Sequence, residues 1–314
     1  MSDSAIHALA GAVGGIVAMT ATYPLVVLST RAAVETKNHS KTVVESVLDI
    51  VKREGPRAFY SGLSSSLVGI AVTNGVYYYF YERSRGIILN SREGTKALST
   101  LESILAGLIA GSATTIISNP IWVIQTSQAV HKSESDSREV ENVPKTHGVL
   151  DTINQILAKD GIGGFWRGIG PALVLVTNPV IQYTVFEQLK NILIESRTAK
   201  LHTRGSKGVA VLRDWDYFLL GALSKLVATT LTYPYIVVKS RLQVGQSQAS
   251  QYKSSLHGLT LILKEEGIQG LYKGIGSKLL QSVLTAAMLF AGQRRIYELT
   301  KQAVASASRP AALK

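Results

Sequence analysis

Glu54-Gly55-Pro56-Arg57-Ala58-Phe59-Tyr60-Ser61-Gly62 returns in outline as Asp160-Gly161-Ile162-Gly163-Gly164-Phe165-Trp166-Arg167-Gly168 and as Glu266-Gly267-Ile268-Gln269-Gly270-Leu271-Tyr272-Lys273-Gly274. Each phrase is an acid-glycine pair, four residues, an aromatic ring, a polar or basic residue and a second glycine. The copies open at even intervals, at positions 54, 160 and 266. One unit is written three times, and such a repeat outranks local propensity as a guide to architecture. Around each phrase the order is the same: long helix, polar loop, short amphipathic helix, phrase, second long helix. The predicted helices are Ser4 to Glu35, Lys41 to Glu54 and Leu63 to Ile88; Ser99 to Ala129, Gly148 to Asp160 and Gly170 to Ile194; Asp214 to Gln243, Ser254 to Glu266 and Gly276 to Lys301. The chain divides into repeats 1–95, 96–205 and 206–305, one integrated domain, with a tail at 306–314.

The long stretches suit a membrane. Ser99 to Val130 holds one charge, Glu102, while Leu63 to Tyr81, Gly168 to Phe186 and Leu279 to Gln293 hold none. Ser4 to Thr30 and Phe218 to Val238 carry only His7 and Lys225. A helix of roughly 20 apolar residues covers a hydrocarbon core of about 30 Å, so six spanning helices are predicted, two per repeat. Composition agrees: of 314 residues 46% are hydrophobic and only 17% charged, with a mean hydropathy of +0.18. The first stretch lacks the basic start of a secretory signal peptide and runs on through Pro24 to Arg31 as its sister stretches do, so it reads as a span. The short helices carry one apolar stripe, as in Val44, Val47, Leu48 and Val51 or Leu256, Leu259, Ile262 and Leu263. That pattern suits helices lying along membrane lipid. The absence of cysteine selects no compartment.

A net charge of +12 lies mostly in loops, as at Lys200, His202, Arg204, Lys207 and Arg213. It reads either as solvated loops beside anionic headgroups or as a field drawing an anionic solute to a pore mouth. No basic stretch is interleaved with aromatics, so nucleic acid is not expected as a partner. The segment from His131 to Lys145 reads as a flexible loop, or as a docking or phosphorylation site. No phosphate-binding glycine loop, no metal-spaced histidines or carboxylates and no nucleophile with a base occur, so no enzyme, metal or cofactor is expected.

The odd-numbered long helices share a second mark, a proline after a polar or aromatic residue, at Tyr23-Pro24, Asn119-Pro120 and Tyr233-Pro234. A proline inside a helix removes a backbone bond, and three at matching places predict kinks whose freed carbonyls need partners. Gly11 with Gly15, and Gly107 with Gly111, stand at the spacing that lets helices approach closely. The two marks together resemble the mitochondrial carrier family, whose repeats carry P-x-[DE]-x-x-[KR]-x-[KR] at the end of each odd helix and the acid-glycine phrase after each short helix. The likeness runs from about Ser4 to Lys301. It implies an all-α membrane protein: a monomeric six-helix barrel of pseudo-threefold symmetry with three short interfacial helices, a central solute cavity, and gates opening in turn.

Departures from the family pattern bear on those gates. After Pro24 come Val26, Ser29 and Arg31 where an acid and two bases belong; after Pro120, Trp122, Gln125 and Ser127; after Pro234, Ile236, Lys239 and Arg241. All three inner-gate acids are missing, so closure there rests on packing and hydrogen bonds or is weaker. The residues expected at that gate are Arg31, Trp122, Gln125, Lys239 and Arg241. The cytosolic pattern [FY]-[DE]-x-x-[KR] survives as Tyr81-Glu82 with Arg85 and as Phe186-Glu187 with Lys190, while the third copy has Arg294 in place of its acid.

Ionisable residues at membrane depth face a cavity or a partner, since the alternative is costly. Lys225 lies nine residues before Pro234, with Thr229 further along the same face, and Lys278 opens a polar series continued by Gln281 or Ser282 and then Thr285. Asn74 and Tyr77, beside Ser66 and Thr73, and Asn178 with Gln182 can line the interior. Two lysines in a neutral chamber suit a phosphorylated solute; the alternative has each lysine snorkelling to an interface. Trp122 looks like the subgroup that carries folate, flavin, nicotinamide and pyrimidine nucleotides. Gly221 to Ala228 together with Lys278 to Ala287 look like the peroxisomal carriers of adenine nucleotides and larger nucleotide cofactors. The resemblance therefore implies exchange of ATP or AMP, CoA, FAD or NAD across the peroxisomal membrane. The rivals are a mitochondrial inner-membrane carrier of FAD, folate or nicotinamide nucleotide, and a membrane scaffold that no longer transports.

Overall fold

The computed structural model describes residues 3–35, 43–91, 97–130, 148–203, 208–245, 252 and 254–288, the side chains of 3–12 excepted. Among them every regular element is helical. In the first repeat these are α1 (Asp3–Val34), α2 (Val43–Glu54) and α3 (Leu63–Asn90). The second holds α4 (Thr100–Val130), α5 (Val149–Asp160), and α6 (Ile169–Val174) continued as α7 (Asn178–Thr203). The third holds α8 (Asp214–Val244), α9 (Ser255–Leu271) and α10, residues 275–288. Local chemistry sets several starts. Ser99 and Glu102 cap α4 reciprocally, the Ser99 N–H donating to Oε2 at 2.8 Å and the Glu102 N–H to Oγ at 3.4 Å. The Ser254 hydroxyl accepts the His257 N–H at the head of α9.

Both ends of each phrase need glycine. Gly55, Gly161 and Gly267 have φ of +77°, +65° and +68°, and Gly62, Gly168 and Gly274 have +84°, +73° and +80°. Only glycine takes such angles without strain. The second glycine of each phrase also abuts the neighbouring odd helix. A Cβ on Gly62 would lie 3.0 Å from the Gln125 carbonyl, on Gly168 3.0 Å from that of Lys239, and on Gly274 2.6 Å from that of Ser29. Each phrase therefore seats the following long helix on the next repeat, and the third closes the ring onto α1. Thr22 on α1 meets Thr285 on α10 at 3.2 Å, hydroxyl to hydroxyl, across the same seam. Gly274→Ala meets backbone at 2.6 Å besides its strained φ, so it is expected to destabilise by about 2–4 kcal/mol. A thermal unfolding scan reads it, with Gly276→Ala, which meets nothing within 4 Å, as the control.

The phrases also lock onto the proline kinks. Tyr23 Oη donates to the Ser61 carbonyl at 3.1 Å, Asn119 Nδ2 to that of Arg167 at 3.2 Å, and Tyr233 Oη to that of Lys273 at 2.9 Å. The residue before each proline thus binds one fixed position of its own phrase. Pro120 leaves the Ile116 carbonyl without its helical N–H, and the Trp166 indole supplies a replacement at 2.9 Å. Tyr60 and Tyr272, the ring residues of the other two phrases, stack on Tyr23 and Tyr233 instead.

Helix α7 solves a counting problem. Gly168 to Glu187 is one residue shorter than Gly62 to Glu82, yet the Phe-Glu and Tyr-Glu pairs match in the repeat. Between α6 and α7 the chain forms a 3-10 turn at Leu175–Thr177. Three residues rising about 2.0 Å each advance as far as four α-helical residues at about 1.5 Å, which absorbs the deletion.

By length and apolarity alone, three described segments qualify as spans: Val13–Val34, Thr100–Val130 and Ile162–Thr203. Helix α3 is diluted by serines and tyrosines, α8 by lysines and threonines, and α10 is described over too few residues. The apolar stripes of the short helices are divided: Val44, Leu150 and Leu256 are 67%, 74% and 66% exposed, whereas Ile262 is buried and Val47 and Leu259 pack against the core. Of the two glycine pairs, that of α4 packs closely: a Cβ on Gly111 would fall 2.5 Å from Val176. Gly15 on α1 meets nothing within 4 Å. The polar loop expected from His131 to Lys145 and the tail at 306–314 lie outside the described residues.

Candidate substrate cavity and gates

The odd helices α1, α4 and α8 touch one another pairwise, and their C-terminal ends converge. Val34, Val130 and Val244, each ten residues beyond its proline, pack as one buried cluster. Polar side chains tie the surroundings together. Gln125 Nε2 donates to Tyr23 Oη at 3.2 Å, Thr126 Oγ1 to Gln243 Oε1 at 2.9 Å, and Ser65 Oγ to Gln128 Oε1 at 2.6 Å. Aliphatic packing and neutral hydrogen bonds hold this end together, joined by arginine and lysine bonds to the helix-end carbonyls. The valines were legible only as a recurrence at equal offset from the prolines, a signal that motif reading passes over.

The basic residues expected at the inner gate divide into two groups. Arg31 and Arg241 turn away from the ring toward the acids of their own phrases. Arg31 pairs with Glu54 at 2.6 Å and donates from Nε to the Ala129 carbonyl at 2.8 Å. Arg241, only 1% exposed, pairs with Glu266 and donates from Nε to the Ala33 carbonyl at 3.0 Å. Each strap binds a short helix to the C-terminus of the neighbouring odd helix. The second repeat, with Ser127 at that position, uses Arg167 on Asp160 at 2.5 Å and Lys159 on the Gly245 carbonyl at 3.0 Å.

Trp122 and Lys239, by contrast, line a cavity of about 630 Å³. Its walls include Thr73 and Tyr77 of α3, Ser118 and Asn119 of α4, and Val176 between α6 and α7, and its size falls in the usual range for small-molecule sites. The Trp122 indole N–H donates to Thr73 Oγ1 at 3.2 Å, and its six-membered ring lies over Gly69, where a Cβ would come within 3.4 Å of it. Asn74 is exposed and is not part of this wall.

Lys225 sits midway along α8 with Nζ 3.4 Å from Asn178 Oδ1. Asn178 is held by its amide, which donates to Thr232 Oγ1 at 2.7 Å and to the Ala228 carbonyl at 3.2 Å, so its oxygen is left to face the ammonium. At the same offset before the other prolines stand Gly15 and Gly111, which makes Lys225 the one charge of that tier. Of Lys225, Lys278 and Lys239, only Lys239 is among the residues that line the cavity. Among the described residues no carboxylate pairs with any of the three.

The remaining expected residues are spread more widely. Thr229 and Gln281 are buried, and Gln281 donates from Nε2 to Thr285 Oγ1 at 3.3 Å while its Oε1 has no donor among the described residues. Ser282 spends its hydroxyl on the Lys278 carbonyl at 3.0 Å. Gln182 is half-buried outside the cavity wall. The cytosolic gate residues pair along their own helices, Arg85 with Glu82 at 3.2 Å and Lys190 with Glu187 at 2.7 Å. The structure brings neither pair across to another helix, and Arg294 lies outside the described residues.

A family model described as mitochondrial carrier protein matches residues 2–92, 96–197 and 212–307, one block per repeat. The peroxisomal nicotinamide adenine dinucleotide carrier of Arabidopsis thaliana is 38% identical, covering 92% of this chain and 94% of that protein. The peroxisomal membrane protein PMP34 of Mus musculus is 33% identical over 92% of this chain and 91% of its own. The chloroplastic nicotinamide adenine dinucleotide transporter 1 of Arabidopsis thaliana is 30% identical over 90% of this chain and 88% of its own. The peroxisomal membrane expected from the sequence agrees with the first two relatives. Matched in three successive blocks along nearly its whole length, this all-helical, multi-pass, six-span chain belongs to the mitochondrial carrier family.

Proposed function

We propose that the protein exchanges nucleotides or nucleotide cofactors across the peroxisomal membrane by alternating access, with NAD first among ATP, AMP, CoA, FAD and NAD. The observation that carries this reading is Lys225, an ammonium at membrane depth held toward Asn178 with no carboxylate beside it among the described residues. An unpaired cation there is costly unless a guest supplies the negative charge. A phosphate does so; the apolar wall around Trp122, in a cavity that Lys225 itself does not line, offers a face for the base. Two relatives bear NAD in their names, which sets the order of candidates. Family members are transporters, and this chain acts as one without catalysing a reaction.

Proteoliposomes loaded with NAD provide the test. Uptake of labelled NAD is expected to need internal nucleotide and to fall when unlabelled NAD is added outside; ATP, AMP, CoA and FAD then rank themselves by competition. Folded protein that exchanges none of them would favour a scaffold. A fluorescent fusion gathering at mitochondria would move the carrier to the inner membrane.

A further inference from the structure

We infer that the inner end opens unevenly, parting first where α4 meets α8, because the second repeat lacks the arginine that ties the other two seams. This rests on the carrier reading only in that a solute must pass through that end; the unequal bonding stands by itself.

Equivalent carbonyls mark the three seams. Ala33, Ala129 and Gln243 each stand nine residues after the proline of their own helix. Arg31 on α1 donates from Nε to the Ala129 carbonyl on α4, and Arg241 on α8 donates to the Ala33 carbonyl on α1. Each guanidinium also grips the acid of its own phrase, so a single side chain joins a short helix, its odd helix and the neighbouring odd helix. The position that would reach Gln243 in this way is Ser127. A serine is too short to span both partners.

The substitutes are weaker. Arg167 takes over Asp160, but both belong to the second phrase, so their pair does not cross to α8. It is also more open, at 17% and 31% exposed against 1% and 8% for Arg241 and Glu266, and water screens such pairs. Two bonds do cross: Lys159 to the Gly245 carbonyl, and Thr126 to the Gln243 side chain. The first is exposed and the second uncharged, so neither matches a buried guanidinium bond. Ser127 Oγ and Gln243 Nε2 are moreover buried without a hydrogen-bond partner among the described residues. Parting α4 from α8 admits water to both and removes that cost. The cavity borders this seam, since Trp122 on α4 and Lys239 on α8 both line it. A gap here connects the cavity with the inner surface.

The chain has no cysteine, so single thiols can report each seam. Ala33→Cys, Ala129→Cys and Gln243→Cys place one at the same offset in the three repeats, at positions no more than 2% exposed. The full chain is held in lipid nanodiscs, where a water-soluble maleimide reaches both faces. Gln243→Cys is expected to react at least about tenfold faster than the other two, the factor set by one buried charged hydrogen bond. Ser127→Cys, nearly isosteric and on the α4 side of the same seam, should be as fast, which excludes loss of the Gln243 side chain as the cause. Ser127→Arg should slow labelling of Gln243→Cys to the level of the others; Ser127→Met, long but uncharged, should not. Equal rates at the three seams, fastest labelling at position 33 or 129, or slow labelling of Ser127→Cys overturns the inference, whether or not the arginine variant folds. So does a folded Ser127→Arg protein in which Gln243→Cys still labels fast. Adding NAD separates this inference from the carrier reading. Labelling that rises with NAD yet stays even across the seams sinks the seam alone, whereas the expected ranking without any response to NAD supports the seam and counts against NAD as the solute.

Discussion

Lys225→Ala is expected to lower the rate of labelled NAD uptake into proteoliposomes, at substrate well below saturation, by at least about thirtyfold. Truncating one partner of a desolvated charge pair costs about 2–5 kcal/mol, and each 1.36 kcal/mol is tenfold. The lower end applies because Lys225 is half-buried rather than sealed. The variant should fold at least as well as the parent, since it removes a cation that no carboxylate offsets. A normal melting temperature would then separate lost binding from lost structure. Lys225→Arg keeps the charge but not the compact ammonium, and should fall between the two. Asn178→Ala removes the oxygen 3.4 Å from Nζ together with the amide bonds to Thr232 and Ala228, but it leaves the ammonium in place and is expected to cost less, within about tenfold. Uptake by Lys225→Ala at the parental rate would mean that this side chain does not meet the solute.

The fold was legible because its signals are repeated. Three phrases, three prolines and six apolar stretches fix the helix order, and the positive φ of the six phrase glycines gives the physical reason for the phrases. The bonds between phrase and proline were not legible. Tyr23, Asn119 and Tyr233 stood out only as polar or aromatic neighbours of proline, and their acceptors are backbone carbonyls, which carry no mark in a sequence. Gate chemistry was half visible. Missing acids can be read from the motif, and so can reliance on packing and hydrogen bonds, but the valines that do the packing cannot. Arg31 and Arg241 were expected at the ring because a motif gives position along a helix and not the direction of a long side chain. In the structure they reach the acid of their own phrase. Asn74 stands one residue from Thr73, which lines the cavity with Tyr77 while Asn74 does not, since helical phase is not fixed by a sequence when no partner helix is known.

Arg241→Met is expected to be among the most damaging single changes to stability, about 3–5 kcal/mol, because it leaves the Glu266 carboxylate, 8% exposed, with one partner fewer. Its Nε bond to the Ala33 carbonyl is lost as well, so the α1 terminus loosens from the third repeat. Arg31→Met should cost less, since its pair with Glu54 is more open, at 11% and 12% exposure. The double change Arg241→Met with Glu266→Gln should recover part of the loss, the stranded charge being gone; an unchanged double variant would show that the cost lies in packing alone. Acid tests the same pair. Burial pushes the Glu266 carboxyl up, but hydrogen bonds and charges from Arg241 and Lys273 outweigh it and hold the group below its usual value. A carboxylate depressed in the folded state stabilises above its unfolded value of about 4.3 and loses that contribution as pH falls through the folded value. Melting temperature of the parent should therefore decline below about pH 4.5, and the decline should be shallower in Arg241→Met with Glu266→Gln. Parallel profiles for the two proteins would assign the acid sensitivity to other carboxylates.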